Sequence, residues 1–201
     1  MSLNPWLTPI ELSGTTVKLS PLLESHGSQL LEAAADGKLW ELWYTSVPSE
    51  STMSAYINQA LADSKQGTAL PFVVINQSNQ SIIGSTRFLN AEPAHLRLEI
   101  GATWYAKKFQ KTGVNTECKY LLLKHAFETL DCMAVEFRTH WHNYPSRNAI
   151  QRIGARQDGV LRSHRILANG LIRDTVVYSI IRSEWPSVRQ DLEFKLNKYR
   201  S

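Results

Sequence analysis

The chain has 201 residues, 43% of them hydrophobic and 20% charged, an ordinary balance for a globular protein with a sizeable core. Its net charge of +4 comes from Lys and Arg residues that are scattered, which argues against a nucleic-acid partner. No apolar run approaches the ~18–20 residues of a membrane span, the first residues lack the basic-then-apolar order of a secretory leader, and Cys118 and Cys132 fall on or beside one predicted helix, too far apart for a disulfide, so a reducing, cytoplasmic setting with no membrane partner is expected.

In chain order, "TTVKLSPL" (Thr15–Leu22) alternates Val17 and Leu19 with Lys18 and Ser20 and predicts an opening strand. "ESHGSQLLEAAADGKLWELW" predicts a helix broken at Gly37; "SESTMSAYINQALADSKQG" predicts a second, capped by Ser49 or Ser51 and ended by Gly67. "LPFVVINQ" and "SIIGSTRFLN" flank a polar "NQSNQ" turn and form a hairpin. "AHLRLEIGATWY" is the next strand, with Leu96, Leu98 and Ile100 toward the core and His95, Arg97 and Glu99 on the polar face. A helix follows, starting at Asn115 or Thr116, and packs Val114, Cys118, Leu121, Leu122 and Ala126 on a sheet. "AVEFRTHW" (Ala134–Trp141) is a strand, and "PSRNAIQRIG" a short helix with Pro145 in its first turn. "VLRSHRILANGLIRDTVVYSII" is a hairpin turning at Ala168-Asn169-Gly170, and "SEWPSVRQDLEFKLNKYR" closes the chain as a polar, surface-like helix. No linker splits the chain, so one domain is expected over residues 1–201, with its core at about 15–182 and its last helix at about 184–198.

The order β-α-α-β-β-β-α-β-α-β-β is an α+β pattern and rules against a doubly wound nucleotide fold, which alternates strand and helix throughout. It frames the stretch "FQKTGVNTEC" (Phe109–Cys118), where a strand passes through a polar turn into a helix. The turn has neither GxxxxGK[ST] nor the three glycines of a dinucleotide fingerprint. Successive amides with a helix dipole behind them make an anion site; alternatively, Gly113 merely shapes the turn.

The strand, then Gln110-Lys111-Thr112-Gly113-Val114-Asn115, then the helix together resemble the Arg/Gln-x-x-Gly-x-Gly/Ala loop of the GNAT (Gcn5-related) N-acetyltransferases. Asn115 stands where that family has glycine or alanine. "HNYPSRNAIQRIGA" is similar to the family's following segment, and the last hairpin resembles that of its RimJ/RimL group, so the likeness runs from about Thr15 to Ile181. It implies the GNAT acyl-CoA N-acyltransferase fold: a central mixed, mostly antiparallel sheet flanked by helices, with a C-terminal hairpin and helix. It implies acetyl-CoA as cosubstrate, held by Gln110, Lys111, Thr112, Gly113, Val114, Asn115 and Thr116, with Asn143 on the pantetheine or pyrophosphate arm. It also implies that a strand bulge aims the amides of Trp104 and Tyr105 at the thioester.

The same resemblance implies transfer to an amine, either a peptide or protein N-terminus or a small molecule, by a monomer or homodimer without metal. Glu99 lies where histone-type members carry the glutamate base; its alternative is a solvated strand residue paired with Arg97 or a neighbour. Ile150 takes the place of the tyrosine that protonates the CoA thiolate, leaving Ser146 or water as the acid, while Ser146 also suits a helix start. Asn143 equally suits a helix cap. Trp40, Trp43 and Tyr44 have helical spacing where such enzymes build the acceptor pocket, but the same spacing suits a core face. His140 and His142 point to one side of a strand without a neighbouring carboxylate or cysteine, so no metal site is expected there. A CoA-binding sensor or interaction protein without catalysis is the alternative from another class.

Overall fold

In the structure, a computed structural model describing residues 6–167 and 169–198, eight strands form one sheet in the order β1-β2-β3-β4-β5-β6-β8-β7. They are β1 (Leu12–Ser13), β2 (Val17–Pro21), β3 (Leu70–Asn76), β4 (Ile82–Glu92), β5 (Arg97–Tyr105), β6 (Ala134–His140), β7 (Arg156–Ile166) and β8 (Ile172–Ile181). Among the described residues only the β5–β6 pair is parallel, so the sheet is mixed and mostly antiparallel, as the resemblance implies. The helices are α1 (Gly27–Ala35), α2 (Met53–Lys65), α3 (Val114–Glu128), α4 (Tyr144–Arg152) and α5 (Trp185–Lys198).

Two cores form because strand side chains alternate between faces. On one face, Val17, Leu19, Phe72, Phe88, Leu98, Phe137 and Tyr178 pack beneath Val114, Cys118, Leu122 and Ala126 of α3. On the other, Val73, Ile82 and Trp104 pack beneath Leu30, Ala34, Ile57 and Ala60 of α1 and α2. That second cluster contains no residue of β6, β7 or β8, so this half of the face has no helix over it among the described residues.

Several local expectations change. Leu121 is half-buried and stands at the edge of the α3 face. That helix starts at Val114, one residue before the expected Asn115, with Gly113 as its N-cap. Thr52, not Ser49 or Ser51, is the N-cap of α2, and its Oγ1 accepts from the Ser49 amide at 2.9 Å. His95 and Leu96 lie in a 3₁₀ turn before β5, with Leu96 left-handed at φ 49, so neither continues the strand's alternation. The final helix is amphipathic, not merely surface-like. Trp185, Val188 and Leu192 join the core beneath α3 and Leu196 is buried at the same helical spacing, each worth roughly 1.5–3 kcal/mol. Ala168 of the expected turn lies outside the described residues; Asn169 Oδ1 accepts from the Leu171 amide and Gly170 adopts φ 81.

A buried carboxylate fixes α3 to the sheet edge. Glu117 accepts hydrogen bonds from the amides of Thr15, Thr16 and Val17 at 2.8, 2.8 and 2.9 Å. A Cβ on Gly14 would lie 2.6 Å from Glu117 Cδ, so only glycine fits in that turn. Glu117→Gln replaces an acceptor oxygen with a donor facing an amide. We expect a loss of about 2–3 kcal/mol of stability, the cost of an unsatisfied buried donor, read as a lowered urea midpoint; an unchanged midpoint would contradict this role.

Candidate active site

The parallel ladder between β5 and β6 has three pairs, Arg97↔Ala134, Leu98↔Val135 and Glu99↔Glu136, and then stops. β5 continues to Tyr105 against β4, and β6 to His140 against β8. Past Glu99 the two strands therefore diverge and leave a V-shaped gap, with unpaired backbone groups on its β5 side. The register of β4 against β5 shifts between Ser85 and Arg87, where Gly101-Ala102-Thr103-Trp104 spans what two β4 steps cover. Ala102 takes φ 47 at this bulge. Gly84 is required beside it, since a Cβ there would meet the Trp104 carbonyl oxygen at 2.2 Å.

The loop at the mouth of the gap runs from Ala106 into α3. Gln110 Nε2 donates to the Tyr105 carbonyl at 3.0 Å, and Thr112 Oγ1 to that of Phe109 at 2.7 Å, so two predicted loop residues brace the turn. Gly113 has φ −67, which any residue adopts; the left-handed residue is Lys111 at φ 60. What Gly113 supplies is the absence of a side chain above the first amides of α3. Glu117 N donates to Gly113 O, so the amides before it lack intrahelical acceptors and carry the positive end of the helix dipole; Val114 N leans on Thr112 Oγ1 at 3.3 Å. Asn115 Oδ1 accepts from the Tyr105 hydroxyl at 3.3 Å, and Thr116 Oγ1 from Arg152 at 2.9 Å, so these side chains tie α3 to β5 and α4. Across the gap, Asn143 caps α4 by accepting from the Ser146 amide at 3.1 Å, and Ser146 is half-buried one turn in. Ile150 of the same helix is buried in the core.

Glu99 faces the α1/α2 side at the point where the strands part. It is 7% exposed, so it is not the solvated partner of Arg97; Arg97 pairs with Glu136 instead. Asn90 Nδ2 donates to Glu99 Oε2 at 2.8 Å, and Arg138 Nε stands 3.7 Å from the same oxygen. Burial raises the Glu99 pKa, against the opposing pull of Arg138 and Asn90, while Glu136 adds to the rise. Gly101 makes room for this carboxylate, because a Cβ there would lie 2.8 Å from Oε1.

The aromatic stripe is not one helix. Gly37 at φ 89 and Lys38 at φ 47 end the first helical segment, and only a 3₁₀ turn, Leu39–Glu41, follows. Trp40 packs against the α1/α2 core, whereas Trp43 is 54% exposed, edge-on to Tyr44 and to His140 at ring separations of 5.7 and 5.2 Å. His142 donates its amide to His140 Nδ1 at 3.0 Å. Among the described residues no group of three or more His, Cys, Asp or Glu side chains is placed to hold a metal, and no helix is long and apolar enough to cross a membrane.

Sequence reasoning missed Lys119. It is 5% exposed on α3, and its Nζ donates to Thr103 Oγ1 at 2.7 Å, directly beneath the bulge; Thr103 Oγ1 in turn bonds Thr86 Oγ1 at 2.7 Å. A lysine at a core position of a helix beside an anion-binding turn was the available signal. It also missed Tyr56, whose hydroxyl links Trp104 Nε1 to Ser85 Oγ at 3.3 and 3.2 Å and steadies the other side of β5.

A family model described as an acetyltransferase (GNAT) domain matches residues 16–156. Among solved structures, a T. thermophilus protein assigned as an acetyltransferase is 33% identical, with a TM-score of 0.83 over 95% of this chain and 99% of that one. A GCN5-related N-acetyltransferase from Brucella melitensis is 27% identical, with a TM-score of 0.84 over 96% and 87%. Mycobacterium smegmatis RimJ, solved with CoA-disulfide, shares the fold at 22% identity and a TM-score of 0.75 over 94% and 93%. No curated protein matches the chain.

Burial pushes the Lys119 ammonium down from 10.5 to about 8. Between those values the unfolded chain holds a proton that the folded chain has shed, so this lysine adds to stability as pH rises through the window. Below pH 8 the charged form costs about 3 kcal/mol relative to a freely hydrated lysine. Lys119→Met removes that contribution. The wild-type unfolding free energy minus that of the variant should rise by about 3 kcal/mol between pH 8 and 10.5 in urea titrations; a constant difference would contradict the assignment.

Proposed function

We propose, for a chain that belongs to the GNAT acetyltransferase family, the transfer of an acetyl group from acetyl-CoA to an amine. The observation that carries this reading is the conjunction of the β5–β6 gap, the bulge at its edge and the open helix N-terminus at its mouth. Where the β5–β6 pairing ends, an extended pantetheine chain could run along β5 in place of the missing strand partner. The amides from Lys111 to Thr116 suit a pyrophosphate, as helix N-termini suit anions generally, and RimJ of similar fold was solved with a CoA derivative.

In this mechanism the amine approaches from the α1/α2 side. Glu99 takes a proton from its ammonium, directly or through one water, and the raised pKa brings this carboxylate closer to the pH at which a base works best. The neutral amine attacks the thioester carbon, and the backbone amide of Tyr105 stabilises the oxyanion; Ala106 donates to Ile83 O on β4, so by strand alternation the Trp104 amide also points to β4 and only that of Tyr105 faces the gap. The tetrahedral species collapses to amide and CoA thiolate, which Ser146 or water protonates. Asn143 holds the Ser146 turn in place and lies beside the CoA arm. Trp43 and Tyr44 form the wall nearest the acceptor, with Trp40 behind them supporting the loop. A peptide or protein N-terminus is the leading acceptor, and a small amine the next. The burial of Ile150, where catalytic relatives place a tyrosine acid, favours the second reading of a CoA-binding protein without catalysis.

Two variants separate the readings. Glu99→Gln should keep the rise in Tm given by acetyl-CoA and lose ~10²–10⁴-fold in kcat/KM near neutral pH, the loss shrinking as pH rises and the amine deprotonates in bulk water. Gly113→Asp should abolish the Tm rise by setting a carboxylate over the α3 amides. A thermal shift with no thiol release from any amine in either wild type or Glu99→Gln would select the binding reading; equal thermal shifts in wild type and Gly113→Asp would remove the loop from the site.

A further inference from the structure

The half-face left open by α1 and α2 is lined with arginines. Glu136, Arg138 and His140 alternate onto this side of β6, and Thr175 and Arg173 do so on β8. Arg165 of β7 stands directly opposite Arg173 in the ladder. Like charges in that relation destabilise a sheet unless a counter-charge is near.

The carboxylates of the region are engaged elsewhere. Glu136 pairs with Arg97 and Arg138, Asp174 with Arg162, and Asp158 accepts from Ser179. Arg173 turns Nε and Nη2 onto the neutral Thr175 hydroxyl at 3.2 and 3.1 Å, and His164 meets the same oxygen at 3.0 Å. Among the described residues neither Arg165 nor Arg173 has an ion pair. Burial and Arg165 together lower the Arg173 pKa, and only Glu99 opposes them. A third guanidinium without a carboxylate, Arg87, lies over the Tyr56 ring at 4.2 Å on β4, with its Nε lacking a hydrogen-bond partner. An ammonium approaching Glu99 thus meets two buried carboxylates, Glu99 and the arginine-paired Glu136, beside Arg165 and Arg173, which have no ion pair among the described residues; this disfavours a purely cationic acceptor and suits one that brings its own anion.

We propose that the acceptor is an amine carrying a carboxylate, an acidic peptide or amino acid, whose nitrogen is placed at Glu99 while Arg165 and Arg173 hold its anionic group. This rests on the acetyl-transfer reading and narrows it to a substrate class. The exposed Trp43 ring beside His140 supplies an apolar wall between the two ends. Arg165 and Arg173 act as binding residues whose main effect falls on KM, while Arg165 also helps to hold the Glu99 carboxyl pKa down.

The test compares the dipeptide Ser-Glu with Ser-Gln-amide, 2-aminoethyl phosphate and spermidine as acceptors, by thiol release. Wild type should favour Ser-Glu over Ser-Gln-amide by ~10-fold or more in kcat/KM, with spermidine poorest. The variant R165Q/R173Q, which relieves a like-charge pair and should fold, should raise KM for Ser-Glu by ~10–100-fold with a much smaller change in kcat. Ser-Gln-amide and the acetyl-CoA thermal shift should be little changed. R173E should shift the preference toward spermidine. A preference for 2-aminoethyl phosphate over Ser-Glu would overturn the carboxylate assignment. Equal use of Ser-Glu and Ser-Gln-amide, or a double variant with unchanged KM, would overturn the proposal while leaving acetyl transfer intact. If no amine releases thiol, acetyl transfer itself fails. Calorimetric titration of Ser-Glu into the CoA-saturated protein then decides the site: binding lost in R165Q/R173Q upholds it, and no binding to wild type overturns it.

Discussion

The structure turns on a ladder that ends early. After Glu99↔Glu136 the parallel strands β5 and β6 stop exchanging hydrogen bonds, although each is held on its outer side by an antiparallel neighbour. A sheet interior normally leaves no backbone group unpaired, because each one buried without a partner costs free energy comparable to a lost hydrogen bond. The gap therefore persists only because rigid supports on both sides forbid closure. On the β5 side these are the bulge at Ala102, the close contact over Gly84 and the packing of α3. On the β6 side they are the seven-pair ladder with β8 and the capped start of α4.

Buried charge is spent on that support. Glu117 gathers three amides of the β1–β2 turn, and Lys119, two residues on, reaches the opposite side of the helix to bond Thr103 under the bulge. Buried ions of this kind contribute little net stability and destabilise strongly if one partner is lost. Here they fix the position of α3, whose N-terminal amides face the mouth of the gap. The loop and the bulge are thus one mechanical unit, joined through the first turns of a single helix.

Much of this was legible in the sequence. The strand–turn–helix around Gln110 to Asn115 stands out because its chemistry is local: polar turn residues, one glycine, then helical spacing. The order of elements from Val17 onward and the C-terminal hairpin follow from periodicity and turn residues, whereas the two-residue β1 gave no such signal. What was not legible depends on partners distant in the chain. The Glu99 environment is set by Asn90 of β4 and by Glu136 and Arg138 of β6, so neither its burial nor its separation from Arg97 could be read from β5. Trp40, Trp43 and Tyr44 kept helical spacing in sequence, but two consecutive left-handed residues, Gly37 and Lys38, end the helix first and send Trp43 outward. The buried stripe of α5 was hidden by the charged residues between its four apolar positions.

The gap between β5 and β6 as the seat of the thioester is the central claim, and a crystal structure of the protein with CoA tests it most directly. The pantetheine arm should run between residues 100–105 of β5 and 137–140 of β6, with the pyrophosphate on the amides of the Lys111–Thr116 turn and the sulfur near the Ala102 bulge, within reach of the side bearing Glu99. CoA bound elsewhere on the protein with that gap empty, or strands β5 and β6 paired along their full length in the complex, would contradict it.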